Sequence, residues 1–154
     1  MSQDDADNRY KESAAIVARF LDIYRYLHRS SQAIASEFGV SGRQLSALRY
    51  LKRFDASTIG ELSDYLHISD SSTSELVAKL EEKGLATRTR CQQDNRVVRV
   101  SLTEAGKDLV ARAPLAGIGL MRARVEALSP QEMADIAQAI ERLADLLDVD
   151  EVSF

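Results

Sequence analysis

Five cations, Lys83, Arg88, Arg90, Arg96 and Arg99, fall within seventeen residues that hold one carboxylate, Asp94. This window carries +4 in a chain whose net charge is −4, so everything outside it carries −8. A cationic strip on an otherwise acidic protein attracts a polyanion locally without making the whole surface sticky. Just upstream, Ser69, Ser71, Ser72 and Ser74 with Glu75 and Lys79 bring hydroxyls, a carboxylate and an ammonium into eleven residues. Hydroxyls at a helix N-terminus hold phosphates or base edges, and a carboxylate there can accept from cytosine N4. For Glu75 the plain alternative is a solvated helix charge. A third group, Tyr24 and His28 at i and i+4 with Arg49 further on, would suit an aromatic carboxylate: arginine pairs the carboxylate and the rings stack. None of this is catalytic. The chain has no glycine-rich phosphate loop, and its two histidines and single cysteine have no metal-ligand spacing, so no catalytic residue, metal or cofactor is expected.

The cationic window has a shape written into it. Lys83 and Gly84 close a helix, a cation at the negative end of the dipole and a glycine free to turn left-handed. Leu85 to Cys91 and Val97 to Leu102 each alternate with period two, the second with Val98, Val100 and Leu102 on one face. Between them Gln92-Gln93-Asp94-Asn95-Arg96 is wholly polar, and Asp-Asn is turn chemistry. The two strands therefore form a hairpin with Asn95 and Arg96 at its tip. Thr103 and Glu104 start the next helix.

Before the hairpin, Thr58-Ile59-Gly60-Glu61 is a capping box that opens a short helix through Leu66, with Leu62 and Leu66 inward. His67-Ile68-Ser69 interrupts, and a second helix runs from about Asp70 to Lys83 on a stripe of Leu76, Val77 and Leu80. Short helix, tight turn, longer helix and hairpin together predict a winged helix-turn-helix. Ser41-Gly42-Arg43-Gln44 is another capping box, heading a helix to Phe54 with Leu45, Leu48 and Leu51 inward. A long first helix is predicted over Asn8 to Ser31, marked by Ile16, Phe20, Tyr24 and Leu27. A helix from Glu104 towards Ala127 should kink at Pro114. Ser129-Pro130-Gln131-Glu132 starts a last helix whose Met133, Ile136, Ile140, Leu143 and Leu147 make a heptad-like seam.

The length of 154 residues and an apolar content of 45% suit one core with an extension. No 18-residue apolar run and no basic-then-apolar leader is present, so no membrane partner and a cytoplasmic location are expected. The terminal helices carry more apolar surface than so small a lobe needs, which two subunits could bury together. The fold expected is mainly α with a small β wing. Residues 1–34 form an N-terminal dimerisation helix, 35–106 the winged helix-turn-helix region, and 107–154 C-terminal dimerisation helices.

The chain resembles the multiple-antibiotic-resistance regulator (MarR) family of transcription factors. The likeness lies in Leu80-Glu81-Glu82-Lys83-Gly84-Leu85, Arg88, Asp94-Asn95-Arg96 and Val100-Ser101-Leu102-Thr103-Glu104-Ala105-Gly106, and in the helix order from Asn8 to Leu147. The resemblance implies an obligate homodimer on a pseudopalindromic operator in double-stranded DNA. Release would come from a small aromatic or phenolic effector, or from oxidation of a cysteine. A repressor is the expected sign of regulation.

On this reading Ser69, Ser71, Ser72, Ser74, Glu75, Lys79, Arg88, Arg90, Asn95 and Arg96 face DNA. Arg96 enters a narrow minor groove, where the potential is deepest. Asp94 supports the wing by pairing with Arg88 or Arg96, because a carboxylate towards phosphate would be repelled. Tyr24, His28 and Arg49 form the effector site. Cys91 lies on the first wing strand rather than on the first helix, where the peroxide-sensing branch of that family keeps its thiol; a quiet strand cysteine and a redox role eased by Arg90 both stand. The rival function is a winged-helix protein–protein module with weak or no DNA binding, suggested by Asp70, Glu75 and the acidic total.

Overall fold

The computed structural model describes residues 3–90 and 97–149. Seven helices and three strands follow one another there: α1 (Gln3–Phe38), α2 (Gly42–Phe54), β1 (Ala56–Thr58), α3 (Ile59–Leu66), α4 (Asp70–Glu82), β2 (Ala86–Arg90), β3 (Val98–Leu102), α5 (Glu104–Arg112), α6 (Gly117–Glu126) and α7 (Pro130–Asp145). The chain divides into two compact units, 1–118 and 119–154.

The three capping boxes form as the sequence requires. Ser41 Oγ accepts from the Gln44 N–H at 3.1 Å while the Ser41 N–H donates to Gln44 Oε1 at 2.9 Å. Thr58 and Glu61 do the same for α3, and Ser129 and Glu132 for α7. Each satisfies two backbone donors that a helix start would otherwise leave free.

Two helix boundaries depart from the sequence expectation. α1 runs from Gln3 to Phe38, beyond the predicted Asn8 to Ser31 at both ends. Asp4 and Asp5 favour its first turn, and at the other end Ile34 is buried in the core, so packing carries the helix past two serines that disfavour it. It stops at Gly39, at φ +67°, whose carbonyl accepts from Lys83 Nζ at 2.7 Å. The kink predicted at Pro114 is a full break: α5 ends at Arg112 and α6 begins at Gly117, at φ +58°. Proline removes a backbone donor and the left-handed glycine redirects the chain, and together they exceed what one helix tolerates.

A strand missed in the sequence completes the sheet. β1 pairs antiparallel with β3, Ala56 opposite Ser101 and Thr58 opposite Arg99, giving the order β1-β3-β2. β2 and β3 pair from Ala86–Leu102 to Arg90–Val98. The core of the first unit gathers Leu45, Leu48 and Leu51 of α2, Leu62 of α3, Val77 and Leu80 of α4 and Val100 of β3, all essentially inaccessible. In the second unit α7 has no buried residue; Met133, Ile136 and Ile140 are exposed, and Leu147 lies past the helix end.

Candidate nucleic-acid interface

Helix α4 divides cleanly between core and solvent. Thr73, Leu76, Val77 and Leu80 are buried, whereas Ser71, Ser72, Glu75 and Lys79 are exposed. Their spacing of one, three and four residues places them on one outward stripe of a 3.6-residue helix. The α4 N-terminus is held by its own hydroxyls. Ser69 Oγ accepts from the Ser72 N–H at 3.2 Å and contacts the Ser71 and Ser72 hydroxyls at 3.1 and 3.0 Å. Asp70 is tied back to α3 by the Ser63 hydroxyl. Ser69 thus serves as the cap, and Ser71, Ser72, Glu75, Lys79 and Glu82 are among the side chains of this helix presented outward.

The turn between α3 and α4 depends on one unusual residue. His67 closes α3 in the left-handed region, at φ 52° and ψ 50°, which lets the Ile68 N–H reach the Ser63 carbonyl at 3.2 Å. Histidine is among the non-glycine residues that tolerate this conformation.

Strand β2 of the wing stands beside α4. Arg90 and Thr89 are exposed at the far end of β2, and Arg99 is exposed on β3. Asp94, Asn95 and Arg96, expected at the hairpin tip, and Cys91, expected on the first wing strand, lie outside the described residues. Arg88 is placed differently from the expectation that it faces DNA. Its Nη2 donates to the Ser74 carbonyl at 2.7 Å, and its Nη1 lies 3.4 Å from Glu81 Oε2. The ion-pair partner of Arg88 among the described residues is therefore Glu81. Ser74 is half-buried and contributes its carbonyl to this contact.

Arg99, one of the five cations of the basic window, has no site role assigned from the sequence. Opposite Thr58 across the sheet, it adds to the field on Glu61, whose carboxyl is held below the usual carboxylate range by hydrogen bonds from the Thr58 backbone and hydroxyl, and further by Arg99. Only the β1–β3 pairing brings Arg99 to this capping pair.

The trio expected to bind an effector is not preassembled. Tyr24 and His28 stack on α1, ring centroids 6.2 Å apart and nearly parallel at 11°, and the His28 ring lies 3.0 Å from the Gln32 amide nitrogen. Arg49 instead turns to the break after α5, where its Nη2 donates to the Ala113 and Pro114 carbonyls at 3.1 and 2.6 Å. Burial lowers its pKa from the usual arginine range, with Tyr65 acting in the opposite sense. No described contact joins Arg49 to Tyr24 or His28.

Among the described residues no cluster of side chains has the make-up of a metal site, and no helix is long and apolar enough to cross a membrane. A short helix, a left-handed turn, an outward-striped helix and a two-stranded wing define a winged helix-turn-helix protein. The MarR family matches residues 38–96. The HTH-type transcriptional repressor MdtR of Bacillus subtilis is 32% identical over 114 residues, covering 73% of either chain. The chain belongs to the MarR family of transcriptional regulators. Its fold is similar to that of AbsC, a MarR family transcriptional regulator from Streptomyces coelicolor (TM-score 0.64, 22% identity, covering 88% of this chain and 93% of that one). It is likewise similar to MepR of S. aureus in its complex with DNA (TM-score 0.62, 21% identity, 87% and 97% covered).

Proposed function

We propose that this chain is a homodimeric transcriptional repressor that binds a pseudopalindromic operator in double-stranded DNA and acts in the cytoplasm. The observation that carries the reading is the outward stripe of Ser71, Ser72, Glu75 and Lys79 on α4 beside a wing strand ending in exposed Arg90. A helix so striped enters the major groove, and Asn95 and Arg96, expected from the sequence at the tip of the wing, are assigned to the adjoining minor groove. The repressor sign rests on the similarity to the transcriptional repressor MdtR, and the DNA partner is supported by the likeness to MepR in its DNA complex. Two copies are needed because the exposed Met133, Ile136 and Ile140 of α7 and Ile16, Phe20 and Tyr24 of α1 are apolar faces that a second subunit would cover. Selecting duplexes from a genomic library should yield two half-sites about one helical turn apart. Recovery of no enriched duplex would overturn the reading.

A winged-helix module for protein partners is the second reading, favoured by exposed Glu75 and Glu82 on the same face of α4. Counterion release separates the two, since a DNA complex weakens steeply with salt.

Relief would come from a small aromatic or phenolic ligand stacking on the exposed Tyr24–His28 pair. For its carboxylate to reach Arg49, the guanidinium must leave the Ala113 and Pro114 carbonyls, and that exchange would link ligand binding to the α5–α6 break. A tenfold release requires about 1.4 kcal/mol of differential binding. Tyr24→Ala should abolish release by salicylate-like acids; if it responds like the parent, the ligand does not use this pair.

A further inference from the structure

Arg88 bridges two points of α4 that lie two helical turns apart. Its backbone N–H donates to Glu81 Oε1 at 2.9 Å, its Nη1 lies 3.4 Å from Glu81 Oε2, and its Nη2 donates to the Ser74 carbonyl at 2.7 Å. Ser74 and Glu81 are seven residues apart and so share one face of α4. On the other side Arg88 stands in β2 opposite Val100, whose side chain is fully buried in the core. Both charged side chains are about one-third exposed, at 32% each, and Arg88 Nε is buried with no hydrogen-bond partner.

We propose that Arg88 is a positioning residue for DNA recognition: it fixes the wing against the recognition helix and does not itself grip phosphate. The inference rests on the DNA-binding reading above and assigns one of its residues a different task. An arginine meant for phosphate presents its fork to solvent; here both terminal nitrogens face α4, one donating to the Ser74 carbonyl and the other beside the Glu81 carboxylate. A helix in one groove and a hairpin in the next contact the same duplex only if their separation is held closely, and hydrogen bonds behind the contacting residues provide that. The planar guanidinium spans the Ser74 carbonyl and the Glu81 carboxylate together; a lysine ammonium is a single point charge and does not. Because Glu81 neutralises it, the pair contributes no net cation to counterion release.

The test uses the full chain, the duplex selected as above and a mixed-sequence duplex of equal length, titrated over a series of salt concentrations. Glu81→Gln removes a negative charge beside the DNA-facing surface and keeps an oxygen for the Arg88 N–H. If Arg88 were a phosphate contact held back by Glu81, freeing it would tighten binding and steepen the salt slope. As a positioning pair, Glu81→Gln instead weakens the selected duplex threefold or more and leaves mixed-sequence binding equal or stronger. Arg88→Lys, which keeps the charge, should show the same loss of discrimination. Tighter binding of the selected duplex by Glu81→Gln, or parental discrimination by Arg88→Lys, overturns the proposal.

A readout without DNA keeps it separate from the parent reading. The chain has one cysteine, Cys91, directly after β2, to carry a spin label. The parent should give sharply graded relaxation of α4 amides, and Glu81→Gln and Arg88→Lys flatter profiles. A parent that binds no duplex sinks the DNA-binding function alone, whereas identical relaxation profiles in parent and variants sink the positioning role.

Discussion

Gly106, in the first turn of α5, lies against the carbonyl of Leu85 so closely that a side chain has no room. A Cβ built there would overlap the Leu85 carbonyl oxygen, with the carbonyl carbon at 3.1 Å and Leu102 Cδ2 at 3.2 Å. The same oxygen accepts from the Thr103 N–H at 3.2 Å, and the Thr103 hydroxyl donates to the Gly84 carbonyl at 2.6 Å. The start of α5 is thereby pinned to the strand that carries the wing.

Gly106→Ala should destabilise the protein by about 2–3 kcal/mol, because the obstruction is backbone and cannot rotate away. Urea unfolding followed by circular dichroism measures this. A loss below about 0.5 kcal/mol would mean that α5 shifts without cost.

Acid should weaken the fold through its capping carboxylates. Glu61 is held below its ordinary pKa first by the Thr58 backbone and then by its hydroxyl, and Glu132 first by the Ser129 hydroxyl and then by its backbone. A depressed folded pKa adds stability that is fully present above the unfolded value, about 4.3, and is lost as pH falls through the folded one. Stability should therefore decline below about pH 5. Glu61→Gln should flatten that decline, and a variant as acid-sensitive as the parent would show that Glu61 has no part in it.

On the selected operator, Arg96→Ala should cost at least about 1 kcal/mol and lower the salt slope by about one. Lys79→Ala on the α4 stripe should do the same if it meets phosphate. Fluorescence anisotropy at several salt concentrations distinguishes these from a change in fold, and unaltered affinity for Arg96→Ala would remove the wing tip from the interface.

Truncation after Ser129 deletes α7 with its exposed Met133, Ile136 and Ile140. For the homodimer proposed above, light scattering should then find monomers or aggregates, since obligate dimers seldom keep a stable folded subunit. A well-ordered dimer lacking α7 would place the subunit contact elsewhere.

What the sequence determined by itself is local. Ser41 with Gln44, Thr58 with Glu61 and Ser129 with Glu132 are capping partners three residues apart, so their chemistry is readable before any fold is known. The stripes of α2 and α4 and the alternation of β3 follow from periods of 3.6 and two, and they delivered the winged helix-turn-helix and its outward face. Tertiary structure decided whatever depends on distant partners. β1 is three residues long, too short to show a period, and is a strand only because β3 offers Ser101, Val100 and Arg99 opposite it. The extension of α1 to Phe38 required the core to receive Ile34. The sequence points Arg49 to an effector and Arg88 to DNA or Asp94; in the fold one is turned to the carbonyls of Ala113 and Pro114, the other to Ser74 and Glu81. A guanidinium reaches whichever acceptors the fold brings near, and no local rule names acceptors that lie up to 65 residues along the chain.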